Sequence, residues 1–383
     1  MSLWPTIFWL CAALVLYTYA IYPLIVWALV RLRGPHRHES GIPPKSVSIV
    51  IAARNEETAI YRRVGELVSM IESAGVDGEV IVVSDGSTDA TVTLAQRAGG
   101  ARVRVLQLPA SLGKAAALNA GCAASAREIV IFADARQRWA TDAVSRLLAN
   151  FADPRIGAVS GNLVLESSSG AVAGVGLYWR YEKWLRGQES RLSSVMGVSG
   201  SISAVRRDLF APIPNGTILD DVYWPMCVAM SGYRIVLDES AKAFDQLPAR
   251  PTDEFRRKVR TLAGNFQLAM RLPRSLLPWK NPIWFQFVSH KLCRLPIPWV
   301  LAALLILAAM LHGTIYTVAL WSQLLFYGFG ITGMITGSRV KLLSAASAFL
   351  MLNGAAWLAF WVWITGRCEK AWRKANYAAA EVG

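Results

Sequence analysis

The feature that most constrains this chain is its first apolar run. Residues 4–30 read WPTIFWLCAALVLYTYAIYPLIVWALV and contain no charged side chain. A hydrocarbon core about 30 Å thick needs about 20 apolar residues in a helix, so this run is long enough to cross a membrane. It is too long for the centre of a cleaved signal peptide. We therefore expect residues 1–31 to form a retained transmembrane anchor.

The charges that follow the anchor predict its orientation. Arg31, Arg33 and Arg37 come directly after the run, and basic flanks favour the cytoplasmic side. The net charge of the whole chain is +14, which suits anionic lipid or an anionic small substrate. The sequence has neither zinc-finger spacing nor a basic disordered arm that would indicate nucleic-acid binding. The five cysteines are scattered without a CxxC pair, as expected for packing thiols in a reducing compartment.

The other long apolar runs lie near the end of the chain, at about 296–312, 315–335 and 343–365. We expect residues 296–366 to form a second transmembrane region and residues 367–383 a basic tail. The basic loop 337–341 and the basic segment 366–374 both suit the cytoplasm, yet one full span between them would separate them. One of the runs is therefore re-entrant or interfacial, and the sequence leaves open which.

A mixed segment precedes these runs. Residues 280–295 combine Trp, Phe and Val with His290, Lys291 and Arg294, a pattern that favours a helix lying in the headgroup plane. An ordinary amphipathic core helix is the alternative.

Residues 46–275 have the pattern of a folded α/β domain. The runs VSIVIAA, EVIVVS, RVRVLQL and EIVIFAD are nearly continuous apolar strands, as in a parallel sheet buried on both faces. Helical stretches around 56–74, 88–98, 114–126 and 140–151 alternate with them. This alternation predicts a mostly parallel sheet with helices on both faces. Ligands of such sheets bind outside the carboxyl ends of the strands.

Polar residues stand at three of these strand ends. Asn55 and Glu56 follow the first strand, Asp85 follows the second, and Asp134 follows the fourth. Each alone is explained by a turn or a helix cap, but together they predict one acidic crevice. The GxGxxG and GxxxxGK[ST] fingerprints do not follow the first strand. The carboxylates still suit a nucleotide, because they accept hydrogen bonds and hold a divalent cation against a diphosphate.

An ordered series of motifs now resembles a known family. The series is AARNEE, SDGSTD, GKAAALN, FADAR, SGSISAVRR, LDDV and RRKVRT, over roughly residues 46–270. It resembles the membrane-bound family 2 glycosyltransferases of the inverting GT-A class, which include hyaluronan, cellulose and poly-N-acetylglucosamine synthases. The anchor before the domain and the apolar runs after it match that architecture. The resemblance implies a GT-A type α/β fold with N- and C-terminal transmembrane helices.

The resemblance also implies a donor site for a UDP-sugar with Mg²⁺ or Mn²⁺. Asn55 and Glu56 would hold the base and ribose, and Asp85 would accept a hydrogen bond from the uracil imide. Lys114 would lie beside the nucleotide. Asp134 would carry the metal. The full donor-binding set is Ala52, Asn55, Glu56, Asp85, Lys114, Asp134, Arg136, Arg257 and Arg260.

The catalytic and acceptor residues follow from two further motifs. Asp221, with Asp220 beside it, matches the acid pair that supplies the catalytic base. Direct displacement at an anomeric carbon needs such a base for the acceptor hydroxyl. Both acids open a helical run, so capping is the alternative role for either one. Gly200 and Ser201 would fall in the strand that lines the acceptor pocket.

Two positions depart from the family pattern. Arg136 stands where the Asp-x-Asp motif has its second acid, and a guanidinium binds a phosphate rather than a metal. Thr261 replaces the tryptophan of the processive synthases' Gln-x-x-Arg-Trp motif, which argues against processive polymerisation. Alternatively, the basic run 256–260 is a solvated helix face on anionic lipid.

The expected function is therefore an inverting membrane glycosyltransferase. It would move a sugar from a nucleotide-sugar to a saccharide or lipid-linked acceptor, in cell-surface polysaccharide or glycolipid synthesis. We expect a multi-pass protein of the inner (plasma) membrane, with its catalytic domain in the cytoplasm. Membrane lipids are expected partners. The alternatives are a processive polysaccharide synthase coupled to export and a non-catalytic membrane scaffold, which would be expected to lack Asp85, Asp134 and Asp221 together.

Overall fold

The computed structural model describes residues 3–34, 39, 41–166, 173–246, 251–338 and 340–366. Within these ranges the side chains of 173–177, 246 and 251 are not described. Arg37 and the expected basic tail 367–383 lie outside the described residues.

The centre of the fold is one eight-stranded sheet with the order β3-β2-β1-β4-β7-β6-β8-β5. Its strands are β1 Ser46–Ala53, β2 Asp77–Ser84, β3 Val103–Gln107, β4 Ile129–Ala133, β5 Arg138–Trp139, β6 Ile156–Glu166, β7 Ile202–Arg206 and β8 Arg234–Gln246. The expected strands are β1 to β4, and they pair in parallel with one another. Their carboxyl ends therefore meet at one edge, as the sequence predicts.

The second half of the sheet is mixed. Strand β7 runs antiparallel to β4 and to β6, while β6 pairs with β8 in parallel and β5 pairs with β8 antiparallel. The α/β class with N- and C-terminal apolar helices is thus confirmed. The antiparallel strand beside β4 is the addition that the sequence did not reveal, because a short apolar strand does not encode its direction.

Thirteen α-helices are assigned in the described residues, some of them continued by π-helical turns. Those of the sheet domain are α3 Ile60–Ser73, α4 Thr91–Ala98, α5 Lys114–Ala124, α6 Ala143–Asn150, α7 Ala173–Leu192, α8 Asp220–Met230 and α9 Pro251–Arg271. The others are α1 Leu3–Leu16, α2 Tyr22–Arg33, α10 Trp284–Gln286, α11 Ile297–Met310, α12 Thr314–Thr336 and α13 Lys341–Ile364.

The sheet is buried on both faces, which explains its continuous apolar runs. In β1, Ile49 and Ile51 pack into a cluster with α3 and α6, whereas Val50 points to the opposite face and packs with α5 and α8. All three side chains are 0% exposed. Because successive strand residues face opposite sides, a strand covered on both sides must be apolar at every position.

Three helical stretches are long and apolar enough to cross a membrane, judged by length and composition over the described residues. They are Leu3–Arg33, in which a π-helical turn joins α1 to α2, and the two helices α12 and α13. A fourth candidate is the pair Trp284–Leu292 and Ile297–Met310, which passes the same test as a unit but is bent by 59°.

We call Trp284–Leu292 the junction helix. It consists of α10 and a π-helical turn, Phe287–Leu292. It is not solvated on one face, as a helix in the headgroup plane would be, because Phe287, Ser289 and His290 are buried. His290 contacts two carboxylates of α7 instead. These bonds hold the segment against α7, and its position in the headgroup plane stays a prediction.

Helix α13 lies against the sheet domain along its second half. Ala355 and Ala359 pack with Val259 and Ala263 of α9. Trp357 stacks on Trp299, near the start of α11, with ring centroids 4.9 Å apart.

The first half of α13 packs close to the junction helix. Phe349 packs on Tyr19, whose neighbour Tyr17 bonds Ser289 of the junction helix. A helix that crossed the bilayer would move about 12 Å in depth between residues 349 and 357, at 1.5 Å per residue. The contact at residue 357 is with Trp299 near the start of α11, and the contact at residue 349 is with Tyr19, close to the junction helix. These contacts are the basis for expecting that α13 does not cross the bilayer.

We therefore predict that both ends of α13 are accessible from the side of the membrane that carries the sheet domain. Single cysteines would be introduced at Ser338 and Gly366, in a background without native cysteines, and labelled with a membrane-impermeant maleimide. Both should behave like a cysteine introduced at the exposed Lys280: either all three positions react, or all three are protected. A cysteine at Gly313, at the opposite end of α12, is the control and should show the reverse behaviour. Opposite labelling of positions 338 and 366 would contradict the prediction.

Candidate functional site

The loops that follow β1 and β2 are bound to each other. Asn55 Oδ1 accepts from the Thr88 N–H at 2.9 Å, and Thr91 Oγ1 accepts from the Glu56 N–H at 2.8 Å. Asn55 has a φ of +52°, the left-handed region that asparagine tolerates better than most residues. The expected nucleotide residues Asn55 and Glu56 thus lie at the carboxyl edge of the sheet, in a loop that their own contacts shape. Ala52 lies half-buried near the end of β1.

Asp85 is 6% exposed and holds the loop that leads into α5. Its carboxylate accepts from the Leu112 N–H at 2.6 Å, the Gly113 N–H at 3.1 Å and Ser111 Oγ at 3.0 Å. Gly86 permits this approach, since a Cβ there would lie 2.7 Å from the Ser111 nitrogen. A contact between Asp85 and a nucleobase would add to these bonds. These contacts explain why Asp85 and Gly86 directly follow β2. The two residues together hold the start of α5.

The loop positions Lys114 at the start of α5, where it meets Asp134. Lys114 Nζ lies 2.9 Å from Asp134 Oδ1, and the two side chains are 24% and 32% exposed. Burial by itself lowers the pKa of Lys114, but Asp134, Asp220 and Asp221 outweigh it, so the pKa is raised overall. The lysine therefore carries its charge at neutral pH and faces three acids from two different parts of the chain.

The segment after Asp134 alternates in burial. Ala135, Gln137 and Trp139 are buried, whereas Arg136 and Arg138 are exposed. Arg136 therefore faces the same side of the loop as Asp134, in the place of the second acid. Arg138 pairs with Glu166 instead, at 3.1 Å.

The other two acids begin α8. Asp220 and Asp221 lie in its first turn and are half-buried, and neither is the N-cap, which is Leu219. Burial, and then the charge of Asp220, raises the pKa of Asp221 to about 6, against the lowering effect of Lys114, Lys291 and Arg186. A base is most effective when its pKa lies near the working pH, so this shift suits general-base work.

Pro225 explains how α8 receives the loop 197–201. A proline has no N–H, so the helical bond from residue 225 to the carbonyl of Asp221 cannot form. That carbonyl accepts from the Val198 N–H instead, at 2.8 Å. Gly197 permits the contact, because a Cβ there would lie 3.0 Å from the same oxygen. The backbone of the loop is thereby held against the proposed base.

Gly200 and Ser201 lie in a turn directly before β7, not in the strand as expected. A Cβ on Gly200 would be 3.4 Å from Lys114 Nζ and 3.9 Å from Asp221 Oδ2. The turn therefore forms part of the wall between the lysine and the acid. The Trp139 indole N–H donates to the Ser201 carbonyl at 3.2 Å and supports the turn from below.

Helix α9 covers the loop that leads to Asp220. Gln267 accepts from the Ile218 N–H at 2.9 Å, and Gly264 packs on Leu219 so closely that a Cβ would meet its Cγ at 2.6 Å. Arg260 lies close enough to Asp220 to lower its pKa, against the larger effect of burial. Arg257 pairs with Glu254 at 2.8 Å. Arg260 thus adds its positive charge to the surroundings of Asp220.

The acids of the site offer few ligands for a divalent cation. No cluster of three or more His, Cys, Asp or Glu side chains placed to hold a metal occurs among the residues described. Asp134 offers one carboxylate, with Oδ1 already paired to Lys114. Mg²⁺ is commonly held by one or two carboxylates together with substrate phosphates and water. The residues therefore fit a cation that arrives with a diphosphate, with Asp134 as its protein ligand.

Several residues of the site escaped the sequence reasoning. Pro225 had a local signal, since it stands four residues after Asp221 inside a helix. Arg186 and Lys291 had none, because they approach Asp221 from α7 and from the junction helix, far away in sequence.

The fold is similar to that of a solved structure. The mannosyltransferase PcManGT from Pyrobaculum calidifontis, determined in complex with GDP-Man and Mn²⁺, superposes with a TM-score of 0.70 at 22% identity. The similarity covers 94% of this chain and 99% of that chain, so it extends over the sheet domain and the apolar helices.

Sequence comparison gives the family. Residues 48–213 match Glycosyl transferase family 2. An N-acetylglucosaminyltransferase of Rhizobium leguminosarum bv. trifolii is 32% identical over 134 residues, which are 34% of this chain and 72% of the relative. A dolichyl-phosphate beta-glucosyltransferase of Drosophila melanogaster is 38% identical over 102 residues, 24% of this chain, and the match spans only 31% of that relative. With its GT-A fold and its acids gathered at the strand ends, the chain belongs to glycosyl transferase family 2 and is a glycosyltransferase.

Proposed function

We propose that the protein transfers a sugar, with inversion, from a UDP-sugar to the hydroxyl of a saccharide or lipid-linked acceptor. The observation that carries this proposal is the placement of Asp221 beside the Lys114–Asp134 pair, with Gly200 between them. A base and a fixed positive charge on two sides of one small space are what a single displacement requires.

The reaction follows from this arrangement. The acceptor oxygen attacks the anomeric carbon while its proton passes to Asp221. The bond between that carbon and the donor's phosphate oxygen breaks, and its electron pair leaves with the nucleoside diphosphate. Lys114 stabilises the charge that develops on this leaving group, and Arg260 adds positive charge on the side of Asp220.

A divalent cation completes the donor site in this proposal. The complex of the mannosyltransferase PcManGT with GDP-Man and Mn²⁺ supports it. Asp134 would be the protein ligand, and Arg136 would replace the second acid with a fixed charge beside the diphosphate. When bound, the ion supplies further positive charge for the leaving group.

A single transfer is favoured over processive synthesis. The Thr261 hydroxyl donates to the Arg257 carbonyl within α9 at 3.0 Å, so this position presents no aromatic side chain on which a polymer could stack.

We also propose that the protein is a multi-pass protein of the inner membrane with its sheet domain in the cytoplasm, since Arg31 and Arg33 end the first apolar helix. Thiol labelling of intact cells tests this orientation, and reaction of residue 280 without lysis would contradict it.

The first prediction concerns the base. Asp221→Asn should lower turnover by about 10²–10⁴-fold, because an amide cannot take the acceptor proton. Binding of UDP, measured by calorimetry on the purified full chain, should stay within about twofold of wild type. Asp208→Asn is the matched control, since this exposed acid lies outside the site. Turnover of Asp221→Asn above about a tenth of wild type would reject Asp221 as the base.

The second prediction concerns pH. Asp221 works only when ionised, so kcat/KM should fall as the pH drops below the pKa of about 6. Asp220 raises that pKa by like-charge repulsion. Asp220→Asn should therefore move the acid limb of the profile to lower pH. The Asp208→Asn control should leave the limb in place, and an unmoved or upward-shifted limb in Asp220→Asn would contradict the coupling.

The third prediction concerns Arg136. Arg136→Asp should tighten the apparent affinity for Mn²⁺, because a second carboxylate joins Asp134. Arg136→Ala should lower turnover and raise the Mn²⁺ concentration that gives half-maximal rate. Arg138→Ala, two residues along the same exposed edge, is the control. Wild-type Mn²⁺ titrations and rates in both Arg136 variants would show that this guanidinium does not act on the diphosphate.

A further inference from the structure

Helix α3 buries a charged side chain on its apolar face. The buried positions recur with the spacing of one helical face, and they are Ile60, Arg63, Val64, Leu67, Met70 and Ile71. Arg63 is 0% exposed, whereas its neighbour Arg62 is exposed and pairs with Glu66 at 2.7 Å. An apolar side chain would fill position 63 without the cost of burying a charge, so the contacts of the guanidinium indicate its role.

The guanidinium of Arg63 contacts the loop that carries Asp134. Its Nε donates to the Asp134 carbonyl at 3.3 Å, and its Nη1 makes a long ion pair with Glu66 Oε2, at 3.5 Å. Burial lowers the pKa of Arg63 to about 10, although Glu66 and Asp134 oppose this effect. Arg63 is therefore charged at neutral pH, and its charge acts on Asp134.

Trp139 connects Arg63 to the acceptor side of the site. The guanidinium carbon lies 4.4 Å from the centre of the Trp139 ring, which is 4% exposed. Arginine packs favourably on such a ring, because the face of the ring carries negative charge. The indole N–H donates in turn to the Ser201 carbonyl at 3.2 Å. Arg63 thus contacts the loop of the proposed metal ligand directly, and the turn at Ser201 through Trp139.

Two cations hold different parts of Asp134. Lys114 contacts the side chain, at Oδ1, whereas Arg63 contacts the backbone carbonyl. A carboxylate held at one oxygen can still move with its backbone, but a backbone that is also fixed defines the direction of the carboxylate before a cation arrives. Groups that orient a ligand residue without touching the metal commonly set metal affinity in this way.

We propose that Arg63 is a positioning residue for the cation that arrives with the donor's diphosphate, because it fixes Asp134 so that the carboxylate faces this cation. The inference rests on the proposed function, in which Asp134 is the protein ligand. Arg63 itself is buried beneath the loop and would contact neither the donor nor the cation.

The test measures binding of Mn²⁺ instead of turnover. The purified full chain in phosphatidylcholine nanodiscs, with saturating UDP, would be titrated with Mn²⁺, and the free ion followed by its electron paramagnetic resonance signal. Arg63→Met should weaken Mn²⁺ binding by about 10–100-fold, the usual effect of losing a group that orients a metal ligand. Methionine keeps a long flexible chain beside Trp139, but it carries no charge and cannot donate to the Asp134 carbonyl. Arg63→Lys, which keeps a charged donor, should recover most of the affinity.

Two control variants separate positioning from packing. Arg62→Met removes the exposed neighbouring charge and should bind Mn²⁺ as the wild type does. Val64→Ala removes buried methyl groups from the same helix, so it should lower the unfolding temperature without changing Mn²⁺ affinity. Binding of UDP without metal, measured by calorimetry, should be unchanged in Arg63→Met. If that variant does not fold, Arg63→Gln, which also removes the charge, takes its place in the titration.

Several results would overturn the role of Arg63. These are wild-type Mn²⁺ affinity in its neutral variants, an equal loss of affinity in Val64→Ala, and no recovery in Arg63→Lys. Asp134→Asn separates this inference from the proposed function. Wild-type Mn²⁺ affinity in Asp134→Asn would show that Asp134 is not the ligand, and both would be wrong. Loss of affinity in Asp134→Asn but not in Arg63→Met would keep Asp134 as the ligand and reject only the role of Arg63.

Discussion

The Lys114 ammonium lies among three carboxylates, and the geometry of the site depends on this shared charge. Asp134 reaches it from the end of β4, while Asp220 and Asp221 reach it from the start of α8. Without the lysine, three acids in one half-buried space would repel one another, and each would tend to take up a proton. With it, Asp134 and its neighbours can share a small space, and the pKa of Asp221 is raised to about 6 by burial and by the charge of Asp220.

The lysine is held in place by a chain of backbone contacts. Asp85 binds the N–H groups of residues 112 and 113, so the start of α5 is fixed relative to β2. On the opposite side, the carbonyl left unpaired by Pro225 binds Val198 and draws the loop 197–201 over Asp221. Asp85, Gly197 and Pro225 thus position the catalytic side chains without taking part in the chemistry themselves.

A second charged network joins the sheet domain to the apolar helices. His290 lies between Glu182 and Glu189, and Tyr22 of the first apolar helix bonds Glu189. The same helix α7 carries Arg186 towards Asp221. The first apolar helix is therefore connected through Glu189 of α7 to the elements that surround Asp221.

Much of the fold and part of the site could be read from the sequence alone. Apolar runs covered on both sides identify β1 to β4 as parallel strands, and parallel strands place Asn55, Asp85 and Asp134 at one edge whatever the rest of the chain does. The acid pair 220–221 was found from its place in an ordered set of motifs. These properties are local, because strand periodicity and the alternation of strands with helices depend on near neighbours in the chain.

Only the tertiary structure decided the rest. It showed β7 to be antiparallel, buried polar side chains of the junction helix, packed the second half of α13 against α9, and brought Arg186 and Lys291 close to Asp221. Each of these depends on contacts between segments that are distant in sequence, and the sequence carries no periodic signal for them. Charge compensation is of the same kind. The tertiary fold determines which carboxylates lie close enough to each lysine to pair with it.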